Sequence, residues 1–228
     1  MIQANLHSIY ETIKETALKA GRDPSGIKLV AVTKNVAPGQ IAEAATCGHT
    51  LFGENYLQEA TAKIPLCPQN AHWHFIGHLQ SNKARQAVEH FECIETVDSL
   101  KLVKALDKYA QMMQKPLSIF IQVNIGKEPQ KSGIMPEDLL PFLRLVGTET
   151  NLKPHGLMTM PPYDPDPERS RPFFRQLREI FESARRQQLF ADESQAELSM
   201  GMSGDFPVAI EEGATIIRVG TALFGQRI

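Results

Sequence analysis

The feature that most restricts the fold of this chain is a regular alternation of short β-rich runs with longer segments of helical character. The segments between the runs carry helix-start signals, for example Pro38, Ser81, Ser99 and Pro136. Strands that alternate with helices predict βαβ units and a parallel sheet. The predicted strands are 28–33, 50–53, 72–76, 92–97, 117–124, 153–158, 196–199 and 215–219.

Eight such units within roughly 200 residues are typical of a small (β/α)8 barrel, which is an α/β fold of the TIM type. The apolar spacing of residues 3–20 predicts an extra N-terminal helix that ends at Gly21. An open doubly wound sheet is the alternative. It usually has a Gly-rich turn after its first strand, and 33–38 contains no glycine. No linker divides the chain, so we expect residues 1–228 to form one domain.

The composition favours a protein of the cytoplasm. The formal net charge is −2, and the chain has no long basic run of the kind that binds nucleic acid. No apolar run approaches the roughly 20 residues that span a bilayer, and the N-terminal segment lacks the apolar core of a signal peptide. Cys47, Cys67 and Cys93 are widely spaced, which argues against a disulfide framework or a zinc ribbon. We therefore expect no nucleic-acid partner and no membrane partner.

The first predicted strand, KLVAVTK, ends in a lysine, although charged side chains are rarely buried. Successive strand residues point to opposite faces, so Lys34 shares a face with Val30 and Val32. If those valines fill the barrel, Lys34 lies at its mouth, where these barrels carry their chemistry. A desolvated lysine amine attacks carbonyl groups. Taken alone, Lys34 is more simply interpreted as a side chain that extends from the strand end into water.

The last two predicted strands end in groups that suit a phosphate. The segment 199–205, SMGMSGD, follows the seventh strand, and Gly220 and Thr221 follow the eighth. Phosphate sites in TIM barrels usually form from these two loops. The eighth strand also carries Arg218, whose guanidinium stays charged and needs an acceptor inside a barrel.

A lysine, a phosphate site and an arginine between them indicate pyridoxal 5′-phosphate (PLP). Lys34 would form the aldimine, and Arg218 would donate to the ring nitrogen and keep it unprotonated. A lysine-dependent aldolase that acts on sugar phosphates is an alternative that needs no cofactor. The histidines of the third strand region do not predict a metal site, because three convergent ligands are needed. His72, His74 and His78 are better interpreted as polar residues of the barrel mouth or satisfied core histidines.

Eight segments in this order resemble the PLP homeostasis proteins, also called alanine racemase N-terminal-like proteins. The resemblance covers nearly the whole chain, and it implies a single barrel like the N-terminal half of alanine racemase. It also implies a cofactor held as a Schiff base by Lys34. The segments are VAVTK (30–34), FGENYLQE (52–59), WHFIGHLQSNK (73–83), QVNIGKEPQKSG (122–133), HGLMTM (155–160), RPFFRQL (171–177), LSMGMSGDF (198–206) and IRVGTALFG (217–225).

The same resemblance assigns the remaining cofactor contacts. It implies that Arg218 addresses the ring nitrogen, and that Lys131 is near the site and assists cofactor transfer. The implied phosphate contacts are Ser199, Met200, Gly220 and Thr221. Further residues within the matched segments are Asn55, His78, Met158 and Ser203.

The resemblance implies control of the free and protein-bound PLP pool, with effects on amino-acid and keto-acid balance and without robust catalysis. Apoenzymes that use PLP are the implied partners, and we expect a monomer rather than a dimer. A racemase-like enzyme is the alternative. Racemases with this barrel add a β-rich domain that brings a catalytic tyrosine, whereas this sequence ends at Ile228 and offers Tyr56 and Tyr163 near the mouth. We therefore expect a PLP-binding protein that is not an enzyme.

Overall fold

The computed structural model describes residues 1–225, which form a closed barrel of eight parallel strands surrounded by helices. The strands follow one another around the barrel in chain order, and the eighth pairs with the first. The predicted α/β barrel of the TIM type is confirmed, and every predicted strand is present with ends shifted by no more than one residue. The strands are β1 (Lys28–Val32), β2 (Leu51–Glu54), β3 (His72–Phe75), β4 (Cys93–Val97), β5 (Ser118–Val123), β6 (Pro154–Thr159), β7 (Glu197–Ser199) and β8 (Ile216–Val219).

Helices cover the outside of the barrel and connect its strands. The predicted N-terminal helix is present as the first of them, and it packs against the second, eighth and ninth helices. It therefore bridges the two ends of the described chain. The helices are α1 (Ile2–Lys19), α2 (Pro38–Thr46), α3 (Leu57–Lys63), α4 (Ala84–His90), α5 (Leu100–Met113), α6 (Leu139–Glu149), α7 (Arg171–Arg186), α8 (Phe206–Glu211) and α9 (Thr221–Phe224).

Several of the predicted helices begin as a short 3-10 turn. The turns Ser81–Lys83, Pro136–Asp138 and Pro167–Ser170 lead directly into α4, α6 and α7. None of the helices within residues 1–225 is both long and apolar enough to cross a membrane. The expected single domain includes residues 226–228, which lie outside the described residues, so its extent stays a prediction.

The two faces of each strand have different roles. Val30, Cys93, Phe120, Met158 and Ile216 form a small buried cluster contributed by five strands, which fills the barrel interior. The opposite faces pack against the helices in a much larger core. Because Val30 points inward, strand alternation directs Lys34, four residues further on, towards the interior at the carboxyl end of β1.

Two glycines allow loops at this end of the barrel to pack closely. A Cβ atom on Gly77 would lie 1.9 Å from the backbone oxygen of Asn55. Gly201 has a φ of +94°, and a Cβ there would lie 2.6 Å from the Cβ of Ala209. The Gly201 carbonyl oxygen also accepts a hydrogen bond of 3.0 Å from the N–H of Arg218. Glycine at both positions therefore fixes the loops that follow β3 and β7.

We expect Gly77→Ala to lower the free energy of unfolding by about 1–3 kcal/mol, because the new methyl group cannot fit without moving the backbone of Asn55. Chemical denaturation measures this change. The matched control is Gly147→Ala in α6, where no atom lies within 4 Å of the added Cβ. Alanine should raise stability there by about 0.5–1 kcal/mol. A Gly77→Ala protein as stable as the wild type would contradict the close approach.

Candidate functional site

A cavity of about 280 Å³ opens at the carboxyl end of the barrel strands. Its wall is formed by the ends of β1, β2, β3 and β8 and by the loops that follow β6 and β7. The proline-rich segment 159–172 contributes Pro161, Pro162, Tyr163 and Asp164 to this wall. Six of the ten residues expected to hold the cofactor line the cavity together. They are Lys34, Asn55, Ser203, Arg218, Gly220 and Thr221.

The other four expected residues lie elsewhere. Met158 is buried in the barrel interior. Met200 is buried in the outer core, because it follows the inward-facing Ser199 and successive residues point to opposite faces. The N–H of Met200 is also used, since it donates to the carbonyl oxygen of Ile216 at 3.0 Å. His78 lines an adjoining cavity, where Ser132 Oγ lies 3.2 Å from its Nδ1.

Ser199, the other expected phosphate contact, is not among the residues that line the cavity. Its side chain is fully buried, and its hydroxyl is already shared between two partners below the cavity. It donates to Glu95 Oε2 at 2.5 Å and accepts from Arg218 Nη1 at 2.5 Å. Because a hydroxyl has one proton, this arrangement leaves it no donor for a phosphate. Ser199 therefore supports Arg218 in this structure, and its contact with a phosphate stays a prediction.

One end of the cavity presents several unpaired donors. Ser203 Oγ accepts from the N–H groups of Gly220 (3.3 Å) and Ala222 (3.5 Å) at the start of α9. The N–H groups of Ser203, Gly204 and Thr221 have no hydrogen-bond acceptor within residues 1–225. Backbone N–H groups and hydroxyls gathered in a turn suit an anion such as a phosphate.

Arg218 forms the floor of the same cavity and is 4% exposed. Its Nη2 donates to the carbonyl oxygen of Thr159 at 2.8 Å. Burial lowers the pKa of Arg218, and the charges of Glu95 and Asp205 oppose that effect. A guanidinium keeps its proton near neutral pH even so. The cavity therefore has a fixed cationic donor at its base.

Glu95 and His74 were not identified from the sequence as site residues. Glu95 is fully buried, and its Oε1 lies 2.6 Å from Nδ1 of His74. Burial opposes the charge of Glu95, yet bonding and charge from His74, with the charge of Arg218, lower its pKa below the usual value. The sequence signal that could have identified this pair was Glu95 within the strand CIETV. The preceding strand, HWHF, carries His74.

Asn55 offers an unused acceptor. Its Oδ1 is buried in the cavity wall and has no hydrogen-bond partner among residues 1–225. An unpaired buried polar atom costs free energy, and a bound ligand can supply the missing partner. The amine of Lys34, the guanidinium of Arg218 and this amide therefore surround one space. These groups fit a ligand that combines a carbonyl, a ring nitrogen and a phosphate.

The backbone on both sides of Lys34 is held by a buried ion cluster between the barrel and α3. Lys63 is 6% exposed, and its Nζ donates to the carbonyl oxygen of Thr33 at 2.7 Å. The same ammonium lies 2.8 Å from Glu54 Oε1 and 2.5 Å from Glu59 Oε1. Sequence reasoning missed this cluster, because nothing in residues 54–63 shows that their charges turn towards the barrel.

Glu59 extends this cluster past Lys34. Its Oε1 accepts a hydrogen bond of 2.7 Å from the N–H of Asn35, the residue after Lys34. Asn35 has a φ of +56°, a left-handed conformation that asparagine tolerates better than most residues. The Lys63 ammonium therefore binds the Thr33 carbonyl directly and the Asn35 N–H through Glu59. The turn that presents Lys34 is held on both sides.

Comparison with known proteins agrees with this geometry. A family model described as the alanine racemase N-terminal domain matches residues 4–228. The chain belongs to this family. A relative from Vibrio cholerae, named pyridoxal phosphate homeostasis protein, is 42% identical over 232 residues, which cover 99% of this chain and 96% of that protein. The resemblance inferred from the sequence segments is confirmed.

Solved structures of family members also match. The structure of PipY from Synechococcus elongatus with PLP bound is 36% identical, has a TM-score of 0.83 and is matched over its full length by 99% of this chain. An alanine racemase from Corynebacterium glutamicum is 17% identical with a TM-score of 0.67. The match covers 97% of this chain and 62% of that racemase, and it shows the shared fold alone.

We expect Lys63→Met to lower the free energy of unfolding by about 3–5 kcal/mol near pH 7, because it leaves the buried Glu54 carboxylate without its partner. Chemical denaturation measures the loss. The matched control is Lys104→Met, which removes an exposed ion pair with Glu149. That control should change the free energy of unfolding by no more than about 1 kcal/mol.

The loss caused by Lys63→Met should also depend on pH. Burial raises the pKa of the Glu54 carboxyl, while bonding and charge from Lys63 lower it, so the variant raises this pKa further. A carboxyl with a raised pKa in the folded state favours folding at low pH, and that contribution is lost as the pH rises through the raised pKa. The destabilisation should therefore be smaller near pH 5 than near pH 7. Equal losses at both values would contradict a charged cluster.

Proposed function

We propose that this protein binds PLP and acts in intracellular PLP homeostasis as a carrier or regulator of the cofactor pool. In this role it would affect amino-acid and keto-acid balance without robust catalysis of its own. The observation that carries the proposal is the convergence of Lys34, Arg218 and the donors around Ser203 and Gly220 on one cavity. The PLP-bound structure of PipY, a full-length relative, supports the choice of ligand.

We infer a role for each of the main polar groups that line the cavity. Lys34 Nζ would bind the aldehyde carbon covalently, and Arg218 would donate to the ring nitrogen. Ser203, Gly204 and Thr221 would bind the phosphate through N–H and hydroxyl donors, and Gly220 would bring the start of α9 close to it. The Asn55 amide would pair with the ring substituents. PLP, when bound in an enzyme, supplies an electron sink for carbanions, and the protein decides how strong that sink is.

Two features of the cavity favour a carrier over an enzyme. The guanidinium would donate a hydrogen bond to the ring nitrogen without transferring its proton, so the ring would stay a weak electron sink. The rim is also open to water, because Tyr163 lines the cavity yet is 87% exposed. Water weakens the electrostatic interactions on which catalysis depends, whereas it does not prevent entry and release of a ligand.

The proposal extends to partners. Apoenzymes that use PLP would receive the cofactor from this protein, and the protein would act as a monomer in the cytoplasm. Lys131, which was expected to assist transfer, lines the adjoining cavity. Its Nζ donates to the carbonyl oxygen of Pro161 and pairs with Glu128, so it lies beside the proline-rich wall of the main cavity.

We expect the purified protein to be yellow and borohydride to fix the cofactor on Lys34, because this lysine follows β1 and lines the cavity. Peptide mapping after reduction locates the label. Lys34→Ala should lose both the colour and the label, and Lys131→Ala, which alters a lysine of the adjoining cavity, should keep the label on Lys34. A label on another lysine of the wild-type protein would overturn the assignment.

We expect the loaded protein to transfer PLP to an apoenzyme, and to racemise or transaminate amino acids slowly or undetectably. Coupled assays of apoenzyme reactivation measure the first, and steady-state assays across common L- and D-amino acids measure the second. Lys34→Ala, which should not carry the cofactor, is the control for both. Turnover that depends on Lys34 and falls within about 1–1000 per second would restore the racemase-like enzyme.

A further inference from the structure

Two histidine–glutamate pairs join β3 to the region of β4, and they differ in burial. His72 and Glu92 lie 2.8 Å apart at the surface, with more than half of each side chain exposed. His74 and Glu95 lie 2.6 Å apart inside the barrel, where Glu95 is fully buried. A buried charge pair carries a large desolvation penalty that well-packed apolar side chains avoid. The interior around Phe120 is apolar, so the buried pair requires an explanation.

A chain of hydrogen bonds connects this pair to the floor of the cavity. Glu95 Oε1 faces Nδ1 of His74, and Glu95 Oε2 accepts a hydrogen bond from the Ser199 hydroxyl. Ser199 Oγ in turn accepts from Arg218 Nη1, and Arg218 Nη2 donates to the Thr159 carbonyl oxygen. The planar guanidinium is thus anchored at both terminal nitrogens. Neither His74 nor Glu95 lines the cavity, so both act at a distance from any ligand.

The charges that face this chain come from several elements. Burial raises the pKa of Cys93 on β4, so its thiol is neutral near neutral pH. Glu197 of β7, which faces Cys93, is paired with Lys28 at 2.7 Å. Asp205 is bonded to the Ser170 hydroxyl at 2.9 Å. Glu95 is therefore the carboxylate that is joined to Arg218 through hydrogen bonds.

His74 carries the matching charge. Burial alone would lower the pKa of His74, whereas the hydrogen bond and the charge of the Glu95 carboxylate, 2.6 Å away, raise it. With His74 protonated, the network holds one negative charge between two positive ones. Arg218 therefore presents a positive charge at the base of the cavity, beside the Asp205 carboxylate in its wall.

We propose that Glu95 and His74 are positioning residues that hold the Arg218 guanidinium as a fixed donor at the cavity floor. Through Arg218 they set the affinity for a ligand that presents an unprotonated ring nitrogen and a phosphate. The identity of that ligand as PLP rests on the proposed function, whereas the fixing of the guanidinium is a property of the chain alone. Thr159 and Ser199 complete the anchoring of Arg218.

Glu95→Gln tests the inference, because it keeps the shape of the side chain and removes its charge. The first measurement uses the ligand-free protein and records the side-chain NMR signals of Arg218. We expect slow proton exchange and restricted rotation of the guanidinium in the wild type, and loss of both in Glu95→Gln. The matched control is Glu92→Gln, which alters the exposed histidine pair and should leave the Arg218 signals unchanged.

The second measurement is a double-mutant cycle on PLP affinity. Glu95→Gln should weaken binding by about ten-fold, the effect of losing one charge-assisted hydrogen bond to the ligand. In the Arg218→Lys background the same change should cost less than about two-fold, because a residue that acts through Arg218 has little left to position. Glu92→Gln should leave the affinity unchanged in both backgrounds.

Each result decides the inference. Equal losses in both backgrounds would mean that Glu95 acts only on the general structure, and would overturn the proposal, as would Arg218 signals that Glu95→Gln does not alter. If Glu95→Gln does not fold, His74→Gln is measured in its place, with the same expected dependence on Arg218. Failure of the wild type to bind PLP would refute the proposed function, while the ligand-free signals of Arg218 would still decide the positioning role.

Discussion

The burial of a guanidinium inside a barrel of parallel strands is the constraint on which the site depends. Arg218 can lie there only because Ser199 and the Thr159 carbonyl accept hydrogen bonds from its guanidinium and Glu95 supplies the opposite charge. Each of those groups comes from a different strand, so the closed barrel is needed to gather them. The cavity and its cationic floor both follow from that arrangement.

Much of this architecture is readable in the sequence. Short β-rich runs between helix-start signals located all eight strands, because parallel strands of a barrel are buried on both faces. Alternation along KLVAVTK placed Lys34 on the inward face, and the glycine- and serine-rich segments after β7 and β8 marked two loops that line the cavity. These inferences succeed because they depend on local pattern and on the common geometry of such barrels.

The parts that failed depend on which residues meet across the barrel. Alternation was applied to β1 and β8 but not to the Ser199–Met200 pair, of which one side chain points inward and the other outward. No local pattern shows that Glu95 of β4 contacts side chains of β7 and β8 across the barrel. Nor does one show that Lys63 of α3 donates a hydrogen bond to the backbone beside Lys34. Long-range register and side-chain length decide such contacts, and neither is visible in a single sequence.

The pairing of β1 with β8 has a consequence for the order in which the molecule is made. Val30 lies beside Arg218 in the closed barrel, although the ribosome adds these residues at opposite ends of synthesis. A nascent chain therefore exposes Lys34 long before the arginine and the anion-binding loop exist. A ligand that requires all three cannot bind a partly made chain, and it stabilises only the barrel whose last strand has joined its first. A ligand held by all three groups would therefore bind only after translation of the last strand.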